Sequence, residues 1–195
     1  MSDFESRVRV WSERFVNASL GSFWTVQTTG LDRVPRAGPL ILACNHASLL
    51  DGPLLGGAIA TARRPMYLGK KELFDNRLLG GFLRMAGVIP LDRGTGGPTA
   101  MREALQILER GGSICVFPEG TRVKAGETRP PKLGVSFLAA KSGAPVLPTR
   151  LVGTREFPLV AGVEVRFGLP LPAPPEGREA AAAFARDVMS AIYGL

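Results

Sequence analysis

The sequence predicts an α/β domain: a mostly parallel or mixed central sheet with helices on both faces, led by an N-terminal amphipathic helix. Three observations carry this. Short apolar β-runs alternate with stretches of helical periodicity. The links between them are brief and marked by Gly and Pro. The 195 residues, 45% of them hydrophobic, suit one compact domain with an ample core.

Residues 3–20 repeat apolar side chains at three and four (Phe4, Val8, Trp11, Phe15), with Glu5, Arg7, Arg9, Glu13 and Arg14 between them. That pattern fits a helix packed on the core and equally an interfacial helix seated in a bilayer surface. Residues 1–24 are therefore set apart from a domain over 25–195. Phe23–Thr29 reads as a strand and Leu31–Pro39 as a turn-rich link. Leu40–Cys44 reads as a short buried strand that delivers Asn45 and His46. A helix follows from Ser48 or Asp51 to about Ala62, with Ser48 placed to cap it and Pro53 tolerable in its first turn. Pro65–Leu68 is the next strand, before Gly69, Lys70 and Lys71; residues 76–86 form an apolar helix. Val88–Leu91 is a strand ending at Asp92 and Arg93, and Thr99–Arg110 is a helix closed by Gly111 and Gly112.

Ser113–Phe117 has the strongest central-strand character and stops at Pro118. A polar loop runs from Glu119 to Pro131, and Leu133–Ser142 is a helix ended by Gly143. Val146–Leu147 is a short strand broken by Pro148, with a continuation through Arg150 open. Val163–Phe167 is a β-run suited to a sheet edge, and Arg178–Tyr193 is an alanine-rich terminal helix. His46, Arg93 and Glu119 all fall just after predicted strands, where open α/β sheets hold their ligands.

Net charge is +7 with arginine predominant, which favours anionic partners: phosphate groups, an acidic membrane surface, an acidic carrier protein or nucleic acid. The clustered aromatic and basic residues of common RNA surfaces are missing, which argues against nucleic acid. Cys44 and Cys115 end or lie within apolar runs and read as buried reduced thiols. One histidine and two separated cysteines make a zinc site improbable. Trp11, Glu13 and Arg14 interrupt what a signal peptide needs, and no charge-free apolar window of about 18 residues predicts a membrane span.

His46 is the single histidine of the chain, and imidazole is the side chain poised to move protons near neutral pH. Asp51 stands five positions on, within reach if the loop turns back at Ala47 or Ser48. A carboxylate on one ring nitrogen fixes the tautomer and leaves the other nitrogen as a base. The bland alternative is a solvated loop histidine with Asp51 as a helical cap. No nucleophile sits at a defined elbow, so an attacking hydroxyl would belong to a substrate. Phe117-Pro118-Glu119-Gly120-Thr121-Arg122 describes a rigid anion-contacting loop. There Arg122 is shaped to grip a phosphate, Thr121 to donate a hydroxyl, and Gly120 to leave its N–H accessible. Glu119 would orient an arginine or bond to substrate hydroxyls. Arg93, Lys70 and Lys132 are further cations on such loops.

These segments resemble the glycerophospholipid acyltransferase family, specifically the bacterial 1-acylglycerol-3-phosphate acyltransferases. Asn45, His46 and Asp51, with Ser48 in its usual place, match the first family block. Gly87–Arg93 matches the second, and Phe117–Arg122 the third, with Val123 where serine is common. Val146-Leu147-Pro148 matches the fourth. Lys70–Leu73 and the Lys132/Gly134 pair resemble two further family segments. The resemblance spans roughly residues 25–170.

The resemblance implies transfer of a fatty acyl group from a thioester of coenzyme A or acyl carrier protein to the sn-2 hydroxyl of 1-acyl-sn-glycerol 3-phosphate, giving phosphatidic acid. It casts His46 as general base and Asp51 as its orienting group. Lys70, Arg93, Glu119, Gly120, Thr121 and Arg122 become the acceptor site, supported by Asn45, Ser48 and Lys132. No bound cofactor or metal is called for. The acyl chain would lie along Leu49–Leu55 and Leu78–Met85, stretches that suit helix-core positions equally well. Charge and the first helix suit peripheral attachment to an anionic leaflet on the cytoplasmic side. Rival expectations are another acceptor, such as a lyso-ornithine lipid or glycerol 3-phosphate, and a basic membrane-docking protein without catalysis.

Overall fold

The structure, a computed structural model, describes residues 25–91, 97–156 and 162–195. The expected helix over residues 3–20, the start of the strand at Phe23, and Asp92 and Arg93 lie outside the described residues. The strands are β1 (Thr25–Thr29), β2 (Leu40–Cys44), β3 (Met66–Lys70), β4 (Val88–Leu91), β5 (Ser113–Val116), β6 (Val146–Val152) and β7 (Gly162–Phe167). The helices are α1 (Asp51–Ile59), α2 (Arg77–Met85), α3 (Gly97–Glu109), α4 (Gly134–Ser142) and α5 (Arg178–Tyr193), with 3-10 turns at Leu31–Arg33 and Lys71–Phe74.

The strands form one sheet in the order β1-β7-β6-β2-β5-β3-β4. Every neighbouring pair is parallel except β6 with β7. β2 is at the centre, and its Leu40–Cys44 run is buried at every position, as a strand covered on both faces must be. Period-2 alternation sends its side chains to two cores. Ile41 and Ala43 join Ile114 and Val146 under Leu108 of α3, Leu138 of α4 and Val188 of α5. Leu40, Leu42 and Cys44 join Leu147 and Phe167 under Leu55 and Ile59 of α1. Each such aliphatic side chain contributes about 1.5–3 kcal/mol on burial.

Two details differ from the sequence-based expectation, and the continuation left open past Pro148 is present. β7 is an inner strand, because β1 pairs in parallel along its outer side from Thr25↔Gly162 to Thr29↔Arg166. β6 passes through Pro148 to Val152, with the Pro148 carbonyl accepting the Gly168 N–H at 2.9 Å. Ser48 does not cap α1. The cap position is Leu50, and the Ser48 hydroxyl only receives the Leu50 N–H at 3.3 Å. Among the described residues, no helix is long and apolar enough to cross a membrane.

Because β2, β3, β5 and β6 run parallel, their carboxyl ends share one rim of the sheet. His46 follows β2, Lys70 closes β3, Glu119 follows β5, and Arg150 lies near the end of β6.

Candidate active site

β2 ends at Cys44, Asn45 and His46 follow it, and Asp51 opens α1, so four residues separate His46 from Asp51. The Asp51 side chain is fully buried, and its Oδ2 gathers three donors. The Ala47 N–H donates at 2.6 Å, the Ser48 N–H at 2.8 Å, and His46 Nδ1 lies at 2.8 Å. The start of a helix also favours a carboxylate there. A proton on Nδ1 completes this arrangement and leaves Nε2 as the basic nitrogen. No described residue partners Nε2, and the His46 side chain is 21% exposed.

The rest of His46 is held as firmly. Its ring stacks on Phe117 with centroids 4.1 Å apart and planes 20° off parallel. Its N–H donates to Glu119 Oε2 at 2.6 Å, and its carbonyl accepts the Val123 N–H at 2.9 Å. The segment after β5 thus brackets the histidine on both sides. Val123, in the place where a serine was expected, is buried, and its carbonyl accepts from Arg155 Nη2 at 2.7 Å.

Glu119 is 2% exposed, and both of its oxygens serve the protein. Oε2 takes the His46 N–H, and Oε1 takes the Tyr193 hydroxyl from the last turn of α5. Its observed work is to tie loop and helix together, where the sequence offered orientation of an arginine or a bond to substrate hydroxyls. Gly120 also departs from expectation. Its N–H donates to the Phe117 carbonyl at 2.9 Å and is not free for a ligand. The residue is glycine because φ is +70° and a Cβ would stand 3.0 Å from Lys132 Cγ. Asn45 reaches across to β6, where its amide donates to the Leu151 carbonyl at 3.0 Å and accepts the Leu151 N–H at 2.7 Å. That side chain substitutes for a missing ladder pair.

The cations are less gathered. Arg122 and Lys132 are exposed, and Thr121 is half-buried beside Gly120. Lys70 is exposed at the end of β3, with its Nζ 3.2 Å from Glu72 Oε1. Arg93 lies outside the described residues. Among the described residues, no group of three or more His, Cys, Asp and Glu side chains is arranged to hold a metal ion.

Four residues were not foreseen. Beside Asn45 and His46 opens a cavity of about 340 Å³ lined by Lys124, Arg150, Arg155 and Tyr193, among others. The Arg150 guanidinium lies over the Tyr193 ring at 4.7 Å. Partial burial, reinforced by the Glu119 carboxylate, raises the Tyr193 phenol to about 12, so it remains a hydrogen-bond donor at neutral pH. Tyr193 follows the buried stripe Phe184, Val188 and Ile192 of α5. Nothing local marks it, since its partner is 74 positions away. Cys44 and Cys115 are free and buried, and desolvation pushes both thiols up.

Comparison with known proteins agrees with this geometry. The family model described as Acyltransferase matches residues 25–152, a stretch that contains His46, Asp51 and the Phe117–Arg122 loop. A 1-acyl-sn-glycerol-3-phosphate acyltransferase of Bacillus subtilis (strain 168) is 31% identical over 128 residues, or 66% of this chain and 63% of that protein. The chloroplastic 1-acyl-sn-glycerol-3-phosphate acyltransferase BAT2 of Brassica napus is 31% identical over 143 residues, covering 72% of this chain and 41% of its own length. The chain thus spans less than two thirds of these relatives. The crystal structure of the 1-acyl-sn-glycerophosphate (LPA) acyltransferase PlsC from Thermotoga maritima matches all of this chain and 82% of its own, with a TM-score of 0.78 at 26% identity. With the family model matched across its histidine–aspartate segment and a solved fold matched along its whole length, this chain belongs to the acyltransferase family.

Proposed function

We propose that the protein transfers a fatty acyl group from a thioester, of coenzyme A or acyl carrier protein, to the sn-2 hydroxyl of 1-acyl-sn-glycerol 3-phosphate. The observation that carries this is the His46–Asp51 pair: a buried carboxylate on Nδ1, with Nε2 unpartnered among the described residues. Similarity to proteins named as 1-acyl-sn-glycerol-3-phosphate acyltransferases supports the choice of acceptor.

His46 Nε2 removes the proton of the acceptor hydroxyl as that oxygen attacks the thioester carbonyl. The tetrahedral intermediate collapses, the C–S bond breaks, and the leaving thiolate takes the proton back from the imidazolium. Asp51 holds the ring and stabilises its positive charge while it lasts. Arg93, Arg122 and Lys70 contact the acceptor phosphate, with Thr121 donating a hydroxyl and Lys132 adding positive charge. Glu119, Gly120, Asn45 and Ser48 shape the loops that carry these groups. The domain is residues 25–195, working peripherally on the anionic cytoplasmic leaflet, with residues 1–24 as a further surface element.

Thiol release from acyl-CoA and from acyl carrier protein, measured against a panel of acceptors, tests this. Release is expected with 1-acylglycerol 3-phosphate and not with glycerol 3-phosphate or a lyso-ornithine lipid. Equal release with a phosphate-free lyso-lipid overturns the head-group assignment.

A further inference from the structure

We propose that the outward face of α2 is a docking surface for an anionic lipid bilayer. The idea deepens the reading above, on which it rests only for the lipid nature of the acceptor.

Helix α2 is inverted relative to an ordinary surface helix. Its small side is turned inward: a Cβ on the buried Gly80 would stand 2.8 Å from the Phe74 carbonyl oxygen. On the opposite side Leu78, Phe82 and Met85 recur at four and three, within roughly 60° of the helix circumference. All three are exposed, Leu78 at 88%, and Leu79 flanks them. The Asn76 side chain accepts the Leu78 and Leu79 N–H groups at 3.1 and 3.0 Å, which sets the start of the helix and with it this face. By spacing these side chains suit an acyl-chain groove or a helix core equally; in the structure they are exposed. A contiguous exposed apolar stripe of this kind marks an interaction surface.

Charge selects the occupant. Arg77 and Arg84 are seven positions apart and therefore lie along the same flank of the stripe, and residues 76–86 contain no carboxylate. The Arg84 guanidinium lies over the Phe74 ring at 5.2 Å. An apolar stripe edged by arginines is the pattern of a helix lying in a membrane interface, and anionic head groups are what those arginines attract. A second copy of this chain, itself carrying a net charge of +7, is the poorer complement. Position agrees as well. α2 follows the carboxyl end of β3 after one 3-10 turn, so its first turn starts at the rim that carries His46 and the exposed Leu49. A bilayer on this face brings a lipid head group to the same rim.

Vesicle co-sedimentation of the full chain tests the proposal. With vesicles of equal phosphatidylglycerol and phosphatidylcholine, the Leu78→Ser/Phe82→Ser variant should partition at least tenfold more weakly than the wild type. Wild-type partition onto pure phosphatidylcholine should also be at least fivefold weaker. A change below twofold in the double variant overturns the proposal. Should that variant fail to fold, Leu78→Cys labelled with an environment-sensitive thiol fluorophore decides. Cys44 and Cys115 are buried and do not compete for the label. A blue shift on vesicle addition supports docking; no shift overturns it. Unchanged vesicle binding together with loss of self-association in size-exclusion chromatography makes the face a contact between copies, which also overturns it. Vesicle binding through α2 without turnover of the lyso-lipid overturns the functional reading and leaves docking standing. Turnover without such binding overturns docking alone.

Discussion

β2 and β3 lie two strands apart in one sheet, yet they are built differently. β2 is buried at every position, while no residue of β3 is. Four residue pairs join β2 to β5, and only two join β3 to β5. The groups that follow repeat the contrast. His46 is held through its ring, its Nδ1, its N–H and its carbonyl. Lys70 at the end of β3 has one exposed ion pair. A base must meet a hydroxyl within a fraction of an ångström, so its backbone and ring are over-determined. Under the proposed function Lys70 reaches for a phosphate through a flexible stem and long-range attraction, for which an open edge suffices.

The sharpest test of this contrast is the His46→Ala variant. Turnover should fall about 10³-fold, the contribution of a positioned general base. The melting temperature should also fall by a few degrees, because the ring is a donor to the buried Asp51 carboxylate and stacks on Phe117. Undiminished thiol release would reject His46 as the base and remove the reason for the rigid side.

Next is a pair of variants, one on each side. Asn45→Ala leaves the Leu151 N–H and carbonyl without their partner and should cost about 2–3 kcal/mol of stability in denaturant unfolding. Lys70→Ala breaks only an exposed pair and should cost less than about 0.5 kcal/mol, while raising the KM for the acceptor several-fold. If Lys70→Ala proves the more destabilising, the division into a tied side and an adaptable side fails.

The smallest expected effect belongs to Tyr193→Phe. It keeps the ring under Arg150 and removes only the donor to Glu119. Stability should fall by about 1 kcal/mol. The diagnostic readout is a several-fold drop in kcat with the acceptor KM unchanged, because Glu119 in turn holds the His46 N–H. A matching drop in soluble protein with unaltered kcat would make Tyr193 a packing residue only.

Much of the fold was legible because it is written in short-range patterns. The all-apolar Leu40–Cys44 run announces a doubly covered strand, and Gly143 in the left-handed region ends α4 where the helix was expected to stop. The His46–Asp51 contact was legible for the same reason: five positions across a tight loop is a local distance. Glu119 was harder, since its type and place after a strand were plain but its two donors come from β2's loop and from α5. β7 was expected at an edge because a six-residue alternating run carries no information about β1, which covers it. The outward face of α2 was invisible, since an apolar stripe at helical spacing looks the same whether it meets a core or a membrane.

By itself, the sequence determined the alternation of strands and helices, the buried centre of the sheet, and a histidine within reach of a carboxylate just after the second strand. Those depend on side-chain period, turn chemistry and a few consecutive residues. The tertiary structure decided which strands became neighbours and that Glu119 serves the protein on both oxygens. It also decided that Tyr193 and Asn45 lock the rim and that α2 shows its leucines to the outside. These depend on contacts between residues tens of positions apart, and only the folded chain sets the distances between them.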